Sequence, residues 1–402
     1  MIDLKAARAD PDTFRAAVAR KGAGEAFDRL LEADAHWRDL IPRVDELRGR
    51  QKIQGKPTPE QVEELKQVKE QLRELEGELA AAEAARDEAL AKVPNPPHES
   101  VPDEEQEDSE GAIERVVGER PELAAATEHL ELGRFDMERA ARVSGARFGY
   151  LIGDTALLSL ALYRWALDRA AAAGFTPVLP PVLVREEAMY GTGFFPAEKN
   201  EYYEIGEDGL YLTGTSEVAL AGLHMGEILE AEQLPLRYTA FLTNFRREAG
   251  AAGRDTRGMF RVHQFNKVEL FAYTLPEASW DEFDRIVELE EANAKELGLP
   301  YRLVNIAAGD LSAAAAKRCD IEAWFPSQER YRELTSASNT TDYQARRLGI
   351  RFRRNGSLEQ VHTLNGTAVT DRWALAILEN FQGDVPEVLQ TYGAPATISP
   401  PS

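Results

Sequence analysis

The sequence predicts an α+β protein in which an N-terminal antiparallel coiled-coil helical arm precedes a domain built on an antiparallel β-sheet flanked by helices. Three observations lead to this prediction: heptad repeats in the first hundred residues, an acidic stretch after them, and intermingled helix and strand patterns from about residue 134 onward. The predicted boundaries are 1–98 for the arm, 99–133 for an acidic linker and 134–402 for the sheet domain.

The arm is predicted from two heptad patterns that are separated by a turn. Apolar residues recur every seven positions in both patterns, as they do along the buried seam of a coiled coil. The main repeats are Leu30, Trp37 and Val44 in the first pattern and Leu65, Leu72 and Leu79 in the second. Between them, Thr58 is placed to cap a helix, with Pro59 in its first turn and Gln61 completing a capping box.

The heptads alone leave the purpose of the arm open. Basic residues are concentrated toward its tip half, whereas its base is acidic, and a surface selected for solubility alone would mix the two signs more evenly. A dimerisation element or a spacer would nevertheless show the same heptads.

The stretch ESVPDEEQEDSE, which follows the arm, contains seven acidic residues and no basic one. Like-charge runs of this kind usually remain solvated and do not enter a core. This is the reason for assigning residues 99–133 to a linker.

The sheet domain is predicted from helix and strand patterns that alternate along the chain. Residues 154–174 form a continuous apolar helix pattern that ends at a glycine, and the FTPVLPPVLV that follows is extended, with prolines suited to an edge strand. Residues 209–224 show a strand, a turn and a helix, and residues 359–382 repeat that order. Such a mixture favours an antiparallel sheet with helices packed on it.

Composition excludes several classes of protein. The formal net charge of −22 on 402 residues argues against non-specific nucleic-acid binding by the whole surface. No apolar run reaches about 18 residues and the N-terminus has no apolar segment, so we expect neither a membrane span nor secretion, and a cytoplasmic location. The single Cys319 excludes an internal disulfide framework and a cysteine-based metal cluster.

The stretch FRREAGAAGRDTRGMFRVHQFNKVE alternates like two strands joined by a glycine-rich loop. Alternation puts Arg246 and Glu248 on one face of the first strand, and Arg261, Phe265 and Glu269 on one face of the second. Cations beside an aromatic ring suit a polyanion that carries a flat ring. A surface hairpin held by salt bridges would show the same charges, and the common glycine-rich phosphate loops do not occur.

These segments together resemble the class II aminoacyl-tRNA synthetases, and specifically the bacterial seryl-tRNA synthetase family. The hairpin is similar to motif 2 of that class, GFTPVLPPVLV with Pro180 is similar to motif 1, and HTLNGTAVTDRWALAILENFQ is similar to motif 3. LTGTSEVAL resembles the family's serine-binding loop, and RYRELTSASNTTDYQARR the strand that follows. The resemblance covers nearly the whole chain, arm included, and its motifs occur in the family's order.

The resemblance implies a class II catalytic domain that activates L-serine with ATP and Mg2+ to seryl-adenylate. Arg246 and Arg372 are the implied catalytic residues: Arg246 would hold the serine carboxylate and the α-phosphate with its planar guanidinium, and Arg372 would stack on adenine opposite Phe265. The residues implied in ATP binding are Arg246, Arg247, Glu248, Arg261, Val262, Phe265, Glu333, Leu334, Thr335, Ser336 and Arg372.

The implied serine site lies beside the ATP site. The ammonium group of serine would be held by Thr215, Ser216 and Glu217 in the LTGTSEVAL segment. The hydroxyl of serine would meet Glu269 and Thr367. The full set is Thr215, Ser216, Glu217, Arg246, Glu269 and Thr367. Glu333 and Ser336 are the implied oxygen ligands of a Mg2+ ion that ATP brings with it.

The resemblance also implies partners. Serine would be transferred to the 3′ end of serine tRNA, and of selenocysteine tRNA where one exists, by a homodimer that forms through motif 1. The arm residues expected to contact tRNA are Arg48, Arg50, Lys52 and Lys56. Two alternatives remain open at this point: a paralogue that activates a small amino acid for a carrier protein or an antibiotic pathway, and a non-catalytic tRNA-binding regulator.

Three features depart from the family pattern. Thr367 and Arg372 are five positions apart, where the family commonly has six. The arm is about one heptad shorter than in typical bacterial members, and the C-terminal tail is compressed. The short loop puts the role of Thr367 in question more than that of any other implied residue.

Overall fold

The computed structural model describes residues 1–52, 58–106, 109–249 and 258–399. These residues form two compact units, Met1–Pro96 and Pro97–Ser402. Among the described helices, none has both the length and the apolar character needed to cross a lipid bilayer.

The first unit is helical, as the heptad pattern predicts. Its helices are α1 (Leu4–Ala9), α2 (Pro11–Ala19), α3 (Gly24–Arg50) and α4 (Pro59–Ala91). The predicted capping box opens α4: the Thr58 hydroxyl accepts from the Gln61 N–H at 3.3 Å, and the Gln61 side chain accepts from the Thr58 N–H at 2.8 Å. These bonds satisfy donors that the first turn of a helix otherwise leaves without partners.

Helices α3 and α4 pack along the predicted apolar seam. The buried side chains shared by the two helices are Leu40, Val44, Leu72, Leu75 and Ala82. Ion pairs join Arg48 to Glu76 at 2.9 Å and Arg50 to Glu64 at 3.5 Å. Because Arg50 at the end of α3 meets Glu64 near the start of α4, the two helices run antiparallel.

The second unit is an α+β domain, which confirms the predicted fold class. Its strands are β1 (Gly111–Val117), β2 (Phe135–Asp136), β3 (Tyr150–Leu151), β4 (Thr176–Val178), β5 (Leu183–Arg185), β6 (Glu204–Ile205), β7 (Leu210–Leu212), β8 (Ile228–Glu230), β9 (Leu236–Phe245), β10 (Gln264–Thr274), β11 (Tyr301–Ile306), β12 (Lys317–Phe325), β13 (Arg330–Thr341), β14 (Arg351–Arg354), β15 (Ser357–Gln360) and β16 (His362–Thr370). Its helices are α5 (His129–Leu132), α6 (Met137–Ser144), α7 (Asp154–Ala172), α8 (Glu186–Thr192), α9 (Glu217–Ala221), α10 (Ser279–Glu296), α11 (Tyr343–Leu348), α12 (Asp371–Phe381) and α13 (Glu387–Gln390).

Eight strands form the main sheet, in the order β1-β11-β12-β13-β16-β10-β9-β4. Every neighbouring pair is antiparallel except β4 and β9, which are parallel. The proline-containing strand β4 lies at one edge, as the prolines predict, because an edge strand can lack ladder donors on its open side.

Three long helices cover the sheet and supply much of its core. Trp165 of α7, Ile286 of α10 and Trp373 of α12 are all fully buried in the same apolar cluster as the strand residues Leu270 and Leu364. The buried face of α7 accounts for much of its apolar sequence, whereas Leu157 and Leu160 on the same helix are exposed.

The predicted linker is wrong for residues 111–117. They form the edge strand β1, which pairs with β11 and buries Gly111 against it. A Cβ at Gly111 would lie 2.1 Å from the Asn305 carbonyl oxygen, so only glycine fits there. The division between the units also falls at Pro96, two residues before the predicted end of the arm.

Bulges interrupt the main sheet where it lies beneath a cavity, at Thr340 between β13 and β16 and at two further positions. Between β12 and β13, Ile321 faces Thr335 but the next residue faces Glu333, so Leu334 is extra. Between β10 and β16, Val268 faces Val369 but Glu269 faces Thr367. Bulges re-aim side chains, and the extra residues lie in β13 and β16, two of the strands that line the cavity.

Candidate active site

A cavity of about 440 Å³ lies over the main sheet, lined by residues from β10, β12, β13, β16 and the start of α12. Most of the residues implied by the motifs are brought together in it. Those lining the cavity are Thr215, Glu217, Arg246, Glu248, Arg261, Val262, Phe265, Glu269, Glu333, Leu334, Thr335, Ser336, Thr367 and Arg372.

The predicted hairpin is present as β9 and β10, with Phe265 and Glu269 facing the cavity from alternate positions of β10. Arg246 follows β9 directly and is fixed by two contacts. Its Nε donates to the Gly214 carbonyl at 3.1 Å, and its guanidinium carbon lies 5.3 Å from the centre of the Phe265 ring. A planar cation is thereby held beside an aromatic face inside the cavity.

Arg261 precedes β10, so strand alternation does not place it. Its side chain nevertheless lines the cavity, where it forms an ion pair with Glu248 at 3.0 Å. Glu248 itself has φ of 51°, in the left-handed region, so the predicted first strand ends before it, at Phe245.

Arg372 lies in the first turn of α12 and connects three segments. Its Nη1 donates to the Glu333 carbonyl at 3.1 Å and to the Glu333 carboxylate at 3.2 Å, and its Nε donates to the Phe260 carbonyl at 3.4 Å. Burial raises the pKa of Glu333, but the guanidinium groups of Arg372, Arg318 and Arg246 outweigh this effect and hold the pKa below its usual range. Glu333 is therefore ionised at neutral pH.

A compact polar network occupies the other end of the cavity. Lys267 Nζ donates to the Thr215 hydroxyl at 2.6 Å, and that hydroxyl donates to Glu269 at 3.1 Å. Lys267 and Glu269 also form a direct ion pair, and both are almost completely buried. A buried hydrogen-bonded network of this kind holds its members in fixed positions, as discrimination of a small polar ligand requires.

Glu217 lies beside this network with its carboxylate held in place. Its Oε1 accepts from Gln344 Nε2 at 2.7 Å and from Asn365 Nδ2 at 2.9 Å. Burial, followed by the nearby charge of Glu269, raises the pKa of Glu217 to about 7. A carboxylate with this pKa gains from a cationic group that enters the cavity next to it.

Comparison with known proteins assigns the chain to a family. Residues 1–97 match the family described as seryl-tRNA synthetase N-terminal domain, and residues 201–381 match the tRNA synthetase class II core domain for G, H, P, S and T. A serine–tRNA ligase of Thermobifida fusca is 46% identical over 100% of this chain and 99% of its own length, and that of Streptomyces coelicolor is 46% identical over 98% and 97%. The chain belongs to the seryl-tRNA synthetase family. The crystal structure of the seryl-tRNA synthetase from Pyrococcus horikoshii complexed with ATP, 38% identical, superposes with a TM-score of 0.92 over 100% of both chains.

Two residues implied by the seryl-tRNA synthetase motifs do not line the cavity. Ser216 is buried, and its hydroxyl lies among the described atoms that have no hydrogen-bond partner. The backbone N–H of Arg247 donates to the Glu201 carbonyl at 2.7 Å, so that residue anchors the segment through its main chain.

Several polar cavity residues were missed by the sequence reasoning, among them Lys267, Asn365, Arg318 and Asp371. Lys267 shares a strand face with Phe265 and Glu269, so alternation could have identified it. Asn365, Arg318 and Asp371 carried no such signal. Arg318 pairs with Asp320 and lies 3.8 Å from Glu333, whereas Asp371 accepts from the Asn266 N–H at 2.8 Å and from the Tyr163 hydroxyl.

The donor set at Glu333 and Ser336 fits a Mg2+ ion that is held mainly by ATP. Mg2+ is usually bound by one or two carboxylates together with substrate phosphates and water. Glu333 offers one ionised carboxylate and Ser336 a hydroxyl at the same end of the cavity. Among the described residues, no group of three or more acidic, histidine or cysteine side chains forms a cage that could hold a metal ion without ATP.

The arm residues implied in tRNA contact belong to the first unit. Arg48 is paired with Glu76 and Asp45, Arg50 is paired with Glu64, and Lys52 is exposed just after α3. Lys56 lies outside the described residues.

Proposed function

We propose that this member of the seryl-tRNA synthetase family is a serine–tRNA ligase. It activates L-serine with ATP to seryl-adenylate and transfers the seryl group to the 3′ end of serine tRNA. The observation that supports this most directly is the single cavity in which an arginine-rich end that suits phosphates adjoins a buried Lys267–Thr215–Glu269 network that suits a small hydroxyl-bearing ligand.

In the first step, an oxygen of the serine carboxylate attacks the α-phosphorus, the bond to the bridging oxygen of the β-phosphate breaks, and pyrophosphate leaves. Arg246 holds the two anionic reactants in line and stabilises the charge that develops on the α-phosphate. Arg372, in the first turn of α12, supports the adenine ring opposite Phe265. In the second step, a terminal ribose hydroxyl of the tRNA attacks the seryl carbonyl and AMP leaves.

Serine is recognised at the polar end of the cavity. Glu217 attracts its ammonium group, and Glu269 and Thr367 meet its hydroxyl. Thr367 faces Glu269 directly in the ladder between β10 and β16, despite the short motif 3 loop. A site that hydrogen-bonds a hydroxyl discriminates strongly against ligands without it, because its own polar groups would then lose their partners.

Glu333 and Ser336 would hold the Mg2+ that accompanies ATP. When bound, the ion neutralises phosphate charge.

The assembly we propose is a homodimer in the cytoplasm. Three leucines in and just before the segment that resembles motif 1 are exposed: Leu157 and Leu160 on α7, and Leu179 within that segment, which is 88% exposed. Apolar side chains exposed together on one segment are typical of a protein interface. A second copy of the chain would cover them.

Pyrophosphate exchange with a panel of amino acids, followed by transfer to tRNA, tests the proposed function. We expect serine-dependent exchange and charging of serine tRNA, with selenocysteine tRNA as a second acceptor. Exchange with a different small amino acid, without charging of tRNA, would favour a paralogue that serves a carrier protein. Binding of tRNA without any exchange would indicate a regulator.

A further inference from the structure

Helix α10 places a carboxyl group directly beneath the floor of the cavity. Glu290 is fully buried, and each of its oxygens reaches a different strand. Its Oε1 accepts from the backbone N–H of Thr367 at 2.8 Å, and its Oε2 lies 2.8 Å from the hydroxyl of Thr335, which donates to it. One side chain thus joins β16, at the serine end of the cavity, to β13, at the nucleotide end.

Both contacts fall at the bulges of the sheet. In β16 the extra residue is Ala368, whose carbonyl accepts from Asn293 Nδ2 at 3.2 Å. Glu290 and Asn293 are three positions apart on α10 and therefore lie on one face of the helix. Together they satisfy a donor and an acceptor that the interrupted ladder leaves without strand partners.

The bulge in β13 is tied to the same carboxyl group. Its extra residue, Leu334, lies between Glu333 and Thr335. Because Thr335 is fixed by Glu290, the backbone that carries Glu333 and Ser336 is fixed from below.

Gly366 allows α10 to approach this closely. A Cβ at that position would lie 2.3 Å from Ile286 Cγ2 and 2.8 Å from Glu290 Oε1. The carboxyl group therefore lies directly against the β16 backbone beside Thr367.

We propose that Glu290 is a positioning residue for serine recognition: by holding the Thr367 N–H, and by being fixed itself through Thr335, it sets where the Thr367 side chain faces Glu269. The proposal rests on the proposed function, and it adds that the nucleotide-side residue Thr335 influences amino-acid discrimination through Glu290.

The chemistry of the buried carboxyl group indicates which substitution should preserve it. Burial raises the pKa of Glu290 well above its usual range, because the charged form is disfavoured away from water. Glutamine has nearly the same shape and carries no charge. Its amide oxygen can accept from the Thr367 N–H, and its amide nitrogen can donate to the Thr335 hydroxyl.

The test measures serine-dependent and alanine-dependent pyrophosphate exchange by the full chain and by Glu290→Leu, Glu290→Gln and Thr335→Val. We expect Glu290→Leu to lower kcat/KM for serine by about 10- to 100-fold, because a buried N–H loses its partner, and to reduce the serine-to-alanine ratio by about 10-fold or more. Glu290→Gln should remain within about threefold of the unchanged chain. Glu288→Leu, which changes an exposed acid on the same helix, is the matched control.

Thr335→Val keeps the shape of its side chain and provides a second test if Glu290→Leu does not fold. We expect it to lower the serine-to-alanine ratio, and its effect should not add to that of Glu290→Leu. If Thr335→Val changes only the KM for ATP, or if Glu290→Leu loses stability but keeps its serine-to-alanine ratio, the proposal is overturned. Absence of serine exchange in the unchanged chain would instead contradict the proposed function.

Discussion

At the scale of single residues, charge and burial give the carboxyl groups at the two ends of the cavity different pKa values. Arginines near Glu333 keep that carboxylate ionised, whereas burial and a neighbouring carboxylate bring Glu217 to a pKa of about 7. The same functional group therefore has different protonation behaviour within one cavity, because opposite charges surround one and a like charge lies near the other.

Arg246→Lys should lower adenylate formation by about two orders of magnitude or more, in the range seen when a transition-state donor is removed. Lysine has no planar fork, so it cannot hold both anions while contacting Gly214 and the Phe265 ring. Serine-dependent pyrophosphate exchange measures the effect, with the exposed Arg353→Lys as control. Near-normal exchange would remove Arg246 from the mechanism.

The raised pKa of Glu217 predicts a pH dependence for serine. Above about pH 7 the free enzyme carries the carboxylate that attracts the ammonium group, and below it the group is protonated and neutral. We expect kcat/KM for serine to fall as the pH is lowered from about 8 to 6. Glu217→Gln should be weaker throughout and should lose this part of the pH dependence; an unchanged slope in that variant would assign the titration to another group.

At the scale of elements, the sequence predicted strands and helices well but not how they meet. The alternation of β10 located Phe265 and Glu269 because period-two patterns report which face a strand residue occupies. Glu290 could not be located in this way: it reads as one more acid on a charged helix, and its role depends on a bulge in a strand more than 70 residues away. The linker prediction failed for a related reason, because the acidic run ends where β1 begins and composition does not report strand pairing.

The contact between α10 and β16 makes a prediction about Gly366. Gly366→Ala should destabilise the domain by about 1–3 kcal/mol and lower serine activation, because the new methyl group displaces Ile286 and Glu290. Thermal unfolding and pyrophosphate exchange measure the two effects. Ile286→Ala makes room at the closer of the two contacts, so the double variant should be less destabilised than the sum of the single changes. Simple additivity would show that the helix is not pressed against the strand at Gly366.

At the scale of the whole molecule, the cavity and the basic tip of the arm belong to different compact units. The cavity is formed entirely by residues of the second unit, whereas the basic residues toward the tip of the arm belong to the first. The base of the arm has its own core, which includes Phe27, Leu30, Leu90 and Val93. The arm can therefore be shortened beyond that core without removing residues that line the cavity.

Replacing residues 38–84 with a short loop should separate the two half-reactions. The shortened protein should still dimerise, because the exposed leucines of α7 are untouched, and should still form seryl-adenylate. We expect charging of serine tRNA to fall steeply, because the basic residues that would contact tRNA phosphates are removed. Sedimentation, pyrophosphate exchange and tRNA charging measure the three quantities.

Charge reversal at the tip of the arm distinguishes a role in binding tRNA phosphates from a role as a spacer. Glutamate at Arg48, Arg50 and Lys52 should reproduce part of the loss of charging and flatten the salt dependence of tRNA binding, since each neutralised phosphate contributes to that slope. Arg48 and Arg50 are paired with Glu76 and Glu64 of α4, so part of the change in charging would come from the loss of these ion pairs within the arm. Arg29→Glu, at the base of the arm and exposed, controls for general charge effects. Normal charging by the shortened protein would mean that the arm is a spacer, and the carrier-protein alternative would then gain support.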